Sequence, residues 1–309
     1  MNVNLFFQQL SNGLALGSLY ALVAVGYTIV YGIIQLINFA HGEIFMIGSF
    51  GALATWTWAL GDRTAVWTLP VMLIGSVVAS VGVALLTERF AYRPLRNAPR
   101  LAPLITAIGV SVFLQEAVRL FYPGATANLS FPTINLVNGS AVSIGGVSVA
   151  RMSVVIIGVL VVCGVAVNLF VNRSRTGRAM RATAEDPDTA RLMGIDVDRI
   201  VVTAFLIGAV LAGVAGLMQG LQYHNIGFHD GFSAGLKAFT AAVLGGIGNI
   251  NGAILGGVVV GLVEVMATQY VPGQFGGSSW KDVWAFVILI VVLVARPQGL
   301  LGRRTVDRA

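Results

Sequence analysis

The side chains that most often carry out chemistry are few in this sequence, and their spacing does not favour it. The three histidines, His41, His224 and His229, lack the i, i+4 spacing that places two metal ligands on one face of a helix. Cys163 is the single cysteine and lies inside an apolar run, which excludes a disulfide within the chain and a cysteine metal site. No nucleophile, metal cluster or pair of carboxylates converges. The sequence therefore predicts neither a catalytic site nor a metal site.

Nucleotide binding by this chain is not expected either. A phosphate-binding loop has the pattern GxxxxGK[ST], and the glycines here lie in apolar segments without the Lys-Ser or Lys-Thr that completes it. Any nucleotide hydrolysis is therefore expected on another chain, and we expect no cofactor on this one.

A few ionisable residues fall inside long apolar segments, where charge is costly and usually marks a pair or a pathway. Glu116 and Arg119 are three residues apart and are expected to pair on one helix. Glu264 falls near the end of its apolar segment and is expected to reach the interface. A proton relay requires a chain of such groups deep in the bilayer, and none is visible.

Two polar interruptions of the apolar segments are candidates for lining a path. The first is QLINFAHGE, residues 35–43, which brings amide, imidazole and carboxylate groups through Asn38, His41 and Glu43. The second lies late in the chain and supplies Gly245, Gly246, Asn249 and Asn251. Small residues at such points either permit close helix packing alone or also line a pathway, and the sequence leaves both interpretations open.

Composition defines the surroundings of these residues. Charged residues make up 10% of the chain, hydrophobic residues make up 56%, and the mean hydropathy is +0.84, whereas a soluble domain is about a quarter charged. The sequence therefore predicts an all-α integral membrane protein with a single transmembrane domain over residues 1–309. The net charge of +6 comes largely from arginines beside apolar segments, which indicate membrane topology rather than nucleic-acid binding.

Eight segments are apolar over about the 20 residues that cross a bilayer core. They are residues 10–34, 42–60, 68–88, 101–121, 152–172, 200–222, 252–270 and 282–296. Three arginine clusters flank them: Arg89, Arg93, Arg96 and Arg100; six arginines between 173 and 199; and Arg296, Arg303, Arg304 and Arg308. The positive-inside rule places all three clusters in the cytoplasm.

That placement requires an even number of crossings between clusters, yet three segments separate the second cluster from the third. We expect the missing crossing at residues 235–248, as a broken or half-crossing helix held against its neighbours. Nine crossings put the N-terminus outside and the C-terminus in the cytoplasm. Because a polar break precedes an apolar helix in each half, two weakly related halves are expected, as in transporters built from repeats.

The segment from Arg173 to Arg199 is too charged to enter a membrane, with six of the 19 basic residues and five of the 13 acidic ones. Its centre predicts a short helix with Asp186 as N-cap, Pro187 in the first position and Gly194 as the C-terminal stop. A short, stiff helix between two membrane spans is suited to docking in a groove of a soluble partner. The candidate docking residues are Arg178, Arg181, Glu185, Asp186, Pro187, Asp188, Arg191 and Gly194.

Residues 122–150 form the long connection expected on the external side. INLV and AVSI flank Asn138-Gly139-Ser140, which predicts a β-hairpin around an Asn-Gly turn. The loop is either a polar connection with no further role or a surface that helps to receive a soluble partner.

RATAEDPDTARLMGIDVDR followed by VVTAFLIGAVLAGVAGL, together with INFAHGE and GGIGNINGAILGG, resembles the permease subunits of bacterial branched-chain amino-acid ABC importers over nearly the whole chain. The resemblance implies that residues 173–199 are the cytoplasmic loop that docks on ATPase subunits. The chain departs from the general importer motif at Glu185-Asp186-Pro187, where that motif has Glu-Ala-Ala, and it retains Gly194 after the short helix.

The resemblance also implies the rest of an assembly in the bacterial inner membrane: a second, related permease chain, two cytoplasmic ATPases that bind ATP and Mg, and an external substrate-binding protein. Its cargo would be a branched-chain amino acid. One alternative is a related permease for urea or short amides. Another is a channel or ion-coupled secondary transporter without an ATPase, which would leave the 173–199 loop with no partner.

Overall fold

The long apolar segments of the sequence fold as helices, and the polar connections carry short strands. The computed structural model describes residues 3–36, 38–96, 98–99, 101–134, 138–144 and 147–302. The helices in these ranges are α1 (Val3–Ile34), α2 (His41–Ala54), α3 (Thr68–Thr87), α4 (Leu101–Phe121), α5 (Arg151–Arg173), α6 (Arg175–Glu185), α7 (Pro187–Leu192), α8 (Val197–Tyr223), α9 (Asp230–Gly245), α10 (Ile250–Tyr270) and α11 (Lys281–Ala295). The strands are β1 (Leu129–Ser130), β2 (Ser140–Ile144), β3 (Val147–Ala150) and β4 (Asn225–Ile226).

Seven helical stretches in the described ranges are long and apolar enough to cross a membrane. They are α1, α3 with the turns that follow it, α4, α5, α8, α10, and α11 with the turn before it. These stretches coincide with seven of the eight apolar windows predicted from the sequence. The prediction of an all-α membrane fold is confirmed.

The centre of the bundle is formed by α1 and α8. In their most apolar stretches 89% and 72% of residues are buried, compared with 22% in α3, α4 and α5 and 6% in α11. Glycine allows the backbones to approach closely: a Cβ on Gly257 of α10 would lie 2.5 Å from the Cα of Ala21 in α1. The outer helices leave apolar faces for lipid or for another protein.

The eighth predicted window, residues 42–60, folds differently from the others. The 14 residues of α2 continue into a wider, π-helical turn at Thr55–Ala59. The first residue, His41, is buried beside Gly26 of α1 and Gly208 of α8. Gly26 precedes the end of α1 by eight residues, or about 12 Å of helix. The chain therefore returns into the bundle before α2 begins.

The prediction of a broken or half-crossing helix at residues 235–248 is confirmed in the shortness of the helix but is wrong about a break within it. α9 is a continuous helix of 16 residues that starts at Asp230. The irregular backbone follows it, because Gly246 and Gly248 have φ angles of +104° and +91° that residues with a Cβ rarely adopt. Sixteen residues span about 24 Å, which is shorter than a bilayer core of about 30 Å. Thus α9 is a short helix, and the break lies at its end.

The first turns of α2 and α9 meet inside the bundle, and we call this contact the junction. A Cβ on Gly235 of α9 would lie 2.9 Å from the Cα of Gly42 in α2. The two helices leave the junction in opposite directions. α2 follows α8 from Gly208 to Gly216, α9 forms an antiparallel hairpin with α10, and both α8 and α10 begin at the end of the bundle that carries α6 and α7. An inverted repeat produces such an arrangement, in agreement with the expected relation between the halves.

The connection predicted at residues 122–150 carries paired strands. β2 pairs antiparallel with β3, with Ile144 opposite Val147, and β1 pairs with β4. The hairpin around Asn138-Gly139 stays a prediction, because residues 135–137, which form most of its first strand, lie outside the described ranges. Residues 100 and 303–309 also lie outside these ranges.

Candidate functional site

The connection between α5 and α8 holds two helices rather than the single one predicted. Ser174 begins α6, and its Oγ accepts a hydrogen bond from the amide of Gly177 at 2.8 Å. Gly177, Met180 and Thr183 are spaced by three residues on one face of α6, and this face is buried. We call α6 and α7 together the α6–α7 loop. In this loop α6 packs against the bundle through its buried face, and α7 lies outermost.

The predicted start of α7 is confirmed. Asp186 is extended, and its Oδ1 accepts hydrogen bonds from the amides of Asp188 at 2.9 Å and Thr189 at 3.1 Å. Pro187 occupies the first helical position. The hydroxyl of Thr189, followed by the amides, stabilises the ionised carboxylate and lowers the pKa of Asp186 below its ordinary value.

The predicted end of α7 is also confirmed. Gly194 has a φ angle of +82°, and the amide of Ile195 donates to the carbonyl of Ala190 at 3.0 Å, as in a glycine-terminated helix. Leu192 and Met193 are 88% and 78% exposed at this tip. The sequence interpretation missed these two apolar side chains, although they directly precede the glycine.

The remaining predicted docking residues lie on the surface, but two of them are engaged within the chain. Arg178 and Glu185 are exposed. The guanidinium of Arg181 donates to the carbonyl of Val171 near the end of α5, and Arg191 pairs with Asp188 at 2.8 Å. These two arginines thus stiffen the α6–α7 loop.

The first predicted polar break, residues 35–43, lies at the junction. Asn38, His41 and Glu43 are almost fully buried, at 2%, 1% and 0% exposure. Oε1 of Glu43 accepts hydrogen bonds from Ser111 at 2.9 Å and from Gln115 at 2.8 Å, both on α4. Glu43 lies in the first turn of α2 and beside the first turn of α9, so the positive ends of two helices face its carboxylate.

Three polar atoms of this group have no hydrogen-bond partner among the described residues: Asn38 Nδ2, His41 Nε2 and Glu43 Oε2. Buried polar atoms are normally satisfied by protein or by ordered water. The ring of Tyr27 packs edge-on against His41, with centroids 4.8 Å apart. The start of α2 is therefore a polar point inside an apolar bundle, with hydrogen-bonding capacity left for water or for a polar solute.

The second predicted break lies at the opposite end of α9 and does not join the junction. Asn249 caps α10, accepting from the amide of Gly252 at 3.2 Å and donating to the carbonyl of Leu301 at 2.8 Å. Asn251 accepts from Asn168 at 2.9 Å. Gly245 packs against Gly252, and Gly246 packs against the chain that follows α11.

A cavity of about 550 Å³ adjoins this second break, between the end of α5, the α6–α7 loop and the turn before α10. Its lining combines the apolar side chains Val171, Ile247 and Ile250 with the polar side chains Asn168, Asn172, Asn249, Asn251 and Arg181. The predicted path residues thus fall into two places, the buried junction and a cavity at the α6–α7 end.

A charge cluster built on the buried residues Lys237 and Glu264, with the half-exposed Asp282, was missed by the sequence interpretation. Nζ of Lys237 on α9 lies 2.8 Å from Oε1 of Glu264 on α10 and 2.6 Å from Oδ1 of Asp282 on α11. The hydroxyl of Tyr20 on α1 donates to Glu264 at 2.9 Å. The prediction that Glu264 reaches the interface is wrong, because the residue is 4% exposed. A lone lysine in an apolar, glycine-rich segment was the available signal.

The expected ion pair between Glu116 and Arg119 is confirmed. Nη1 of Arg119 lies 2.9 Å from Oε2 of Glu116, three residues earlier on α4. Both side chains are nearly half exposed, so this pair differs from the buried cluster in its surroundings as well as in its sequence separation.

The described residues thus combine helices long enough to cross a membrane, two short helices that begin inside the bundle, and a capped loop at one end. The fold is similar to that of a solved ABC transporter of metal-chelate type in an inward-facing conformation, with a TM-score of 0.51 at 15% identity over 94% of this chain and 87% of that one. The two chains thus share a fold.

The chain belongs to the family described as branched-chain amino acid transport system / permease component, whose model matches residues 9–293. It is 46% identical to the high-affinity branched-chain amino acid transport system permease protein BraD of Pseudomonas aeruginosa, over 98% of both chains. It is 43% identical to LivH of Escherichia coli K12, a permease described in the same words, over 98% of this chain and 97% of that one.

Proposed function

We propose that this chain is the permease subunit of an ATP-driven importer that carries branched-chain amino acids across the bacterial inner membrane. The observation that carries the proposal is the identity of 46% and 43% to two permeases of such systems along almost the entire chain. An external substrate-binding protein delivers the amino acid. A second, related permease chain completes the membrane part, covering some of the exposed apolar faces of the outer helices.

The α6–α7 loop is the coupling element of the proposal. Separate ATPase subunits, which bind ATP and Mg, grip the exposed tip formed by Leu192 and Met193, with charged contacts from Arg178, Glu185 and Asp188. This end faces the cytoplasm, the N-terminus lies outside and the C-terminus lies inside. The arginines Arg93 and Arg96, which lie beside the start of α8, support that orientation.

The translocation path runs past the junction and the cavity at the α6–α7 end. Its candidate residues are Asn38, His41, Glu43, Gly245, Gly246, Asn249 and Asn251. The membrane subunit needs two states, open to opposite sides, whose balance shifts when the ATPases bind and hydrolyse ATP. At the junction the backbones of α2 and α9 approach closely at glycines, and the Glu43 side chain lies against Gly231.

The function is tested by purifying the chain with every co-purifying subunit and measuring uptake in proteoliposomes. Labelled leucine should enter only when the ATPases and ATP are present, and labelled urea should not enter. Uptake of urea instead of leucine would assign the cargo to the related amide permeases. Leucine transport by this chain alone, at the full rate, would contradict an ATP-driven importer.

The coupling role is tested by Gly194→Val. A β-branched residue is strained at a φ angle of +82°, so the end of α7 should change and leucine-stimulated ATP hydrolysis should be lost while membrane insertion remains. Gly139→Val is the matched control, because Gly139 has a φ angle of +97° and open space around it at the opposite end of the bundle. Equal loss of stimulation in both variants would contradict the assignment.

A further inference from the structure

The segment of residues 88–96, between α3 and α4, contacts both functional regions described above. α3 ends at Thr87, a π-helical turn covers Glu88–Tyr92, and a tighter 3₁₀ turn covers Arg93–Leu95. Departures from α-helical geometry of these two kinds recur at functional sites and hinges. Glu88 and Tyr92 face inward and are 2% and 3% exposed.

One end of this segment is tied to the helix that leaves the α6–α7 loop. Nη1 of Arg96 donates to Asp198 and Nη2 donates to Glu88, so one guanidinium bridges two carboxylates. Nη2 of Arg93 lies 3.2 Å from the second oxygen of Asp198. Asp198 belongs to the first turn of α8, four residues after Gly194. A displacement of the α6–α7 loop therefore acts on an ion-paired, partly buried contact.

The other end is tied to the junction. The hydroxyl of Tyr92 donates to Oδ1 of Asn38 at 2.8 Å, and both residues are buried. The ring of Tyr92 also packs against Phe205 of α8, with centroids 5.4 Å apart. Asn38 lies in the stretch that leads to His41, the first residue of α2. The hydrogen bond is thus a direct link from the 88–96 segment to the start of the short helix.

We propose that the 88–96 segment transmits the movement of the α6–α7 loop to the start of α2, with Arg96 and Tyr92 as positioning residues. The proposal rests on the proposed function, because the loop moves only if an ATPase grips it. Arg93 and Arg96 then have a second role beside that of fixing membrane topology. Topology requires positive charge near the ends of the spans, whereas it does not require one guanidinium to bridge Glu88 and Asp198.

The contacts have the properties that transmission needs. An ion pair at one end and a buried hydrogen bond at the other hold the segment at fixed distances and directions, unlike apolar contacts, which slide. The two ends are separated by only four residues, Tyr92 to Arg96, within helical turns. Transmission through the segment requires that the α6–α7 loop and the start of α2 are energetically coupled to each other through it. Double substitutions measure that coupling.

The test compares variants of the complete complex, with ATPases and binding protein, in proteoliposomes. The measured quantity is labelled leucine imported per ATP hydrolysed. Arg96→Gln and Tyr92→Phe should each lower this ratio about fivefold or more while ATP hydrolysis and complex yield stay near wild type. Arg96→Gln combined with Asp198→Asn should lower it by less than the two single effects combined, since both remove the link between Arg96 and Asp198 and only Asp198→Asn also removes the contact with Arg93. Arg96→Lys should restore part of the ratio, because one of the two carboxylates keeps a cation.

Two matched controls remove an arginine and a tyrosine hydroxyl that do not belong to the link through Arg96 and Tyr92. Arg199→Gln deletes an exposed ion pair with Asp196 in the same turn of α8, and Tyr122→Phe deletes a phenol hydroxyl beyond the end of α4. Both should leave the ratio unchanged. The proposal is overturned if Arg96→Gln and Tyr92→Phe keep the wild-type ratio, including the case in which they only lower thermal stability. Failure of the wild-type complex to couple leucine uptake to ATP would instead contradict the proposed function.

Discussion

The α6–α7 loop and the junction of α2 and α9 both use short helices, but opposite kinds of contact hold them in place. In the loop, Asp186 bonds to residues two and three positions away, and α7 is exposed to solvent. At the junction, Glu43 bonds to Ser111 and Gln115, and Gly42 packs on residues nearly 200 positions away. The start of α7 is therefore held by local bonds, while the buried face of α6 anchors the loop to the bundle. The junction depends on several helices at once, and a substitution there affects all of them.

The comparison predicts the largest effect where buried contacts between distant helices involve charge. Lys237→Met leaves Glu264 and Asp282 side by side without their cation. An uncompensated buried charge should lower the free energy of unfolding by about 3–5 kcal/mol. The thermal unfolding of the purified chain in detergent measures this loss.

Two further variants sharpen the test of the Lys237 cluster. Lys237→Met with Glu264→Gln should recover part of the loss, because one of the unpaired carboxylates is gone. Arg119→Gln breaks an exposed pair with Glu116 and should cost at most about 1 kcal/mol. If Lys237→Met is no more damaging than Arg119→Gln, the buried cluster is not a stabilising contact.

The next effect in size concerns the glycine contact at the junction. A Cβ on Gly42 would meet the carbonyl oxygen of Gly231 and lie 2.8 Å from the Cα of Gly235. Since these are backbone atoms, Gly42→Ala should force α2 and α9 apart, cost about 1–3 kcal/mol and reduce leucine uptake. Thermal unfolding measures the loss of stability, and uptake in proteoliposomes measures the loss of leucine transport.

Gly82→Ala is the control for that substitution. Gly82 is also a glycine inside a helix, but nothing lies within 4 Å of its added Cβ. Alanine should be neutral there or stabilise α3 by up to about 1 kcal/mol. Equal damage from Gly42→Ala and Gly82→Ala would mean that the short helices do not depend on close approach.

The same difference explains what the sequence could and could not predict. Asp186, Pro187 and Gly194 define α7 through bonds to immediate neighbours, so a local pattern was sufficient. The apolar segments likewise predicted the long helices, because length and composition decide whether a helix can span a bilayer. The polar residues Asn38 and Glu43 were recognised as interruptions of apolar runs.

A local sequence pattern could not predict the partners of those residues. Nothing near Glu43 in the sequence points to Gln115, and nothing near Lys237 points to Asp282, since the folding of whole helices brings them together. The start of α9 at Asp230 was also missed. Its first turn is polar, and the helix is too short to be recognised as a membrane span.

A smaller effect is expected from the local contact at the start of α7. Asp186→Ala removes the acceptor for two backbone amides, so hydrogen exchange at Thr189 should accelerate about fivefold, while the thermal stability of the bundle stays unchanged. Asp186→Asn is the control, because asparagine also caps helices. Loss of stability throughout the bundle in Asp186→Ala would contradict the view that the cap of α7 is a local contact.

The smallest effect is the response of that cap to acid. Hydrogen bonds, led by the Thr189 hydroxyl, lower the pKa of Asp186 in the folded loop from its ordinary value of 3.8. A lowered folded-state pKa means that the unfolded segment binds a proton more readily, so the cap contributes its full stability above that ordinary value and loses it as the pH falls through the folded-state pKa. The protection of the Thr189 amide, corrected for the intrinsic exchange rate at each pH, should fall over that interval in the wild type. It should stay level in Asp186→Asn, whose side chain does not titrate, and parallel behaviour of the two proteins would show that the carboxylate is not the group that responds.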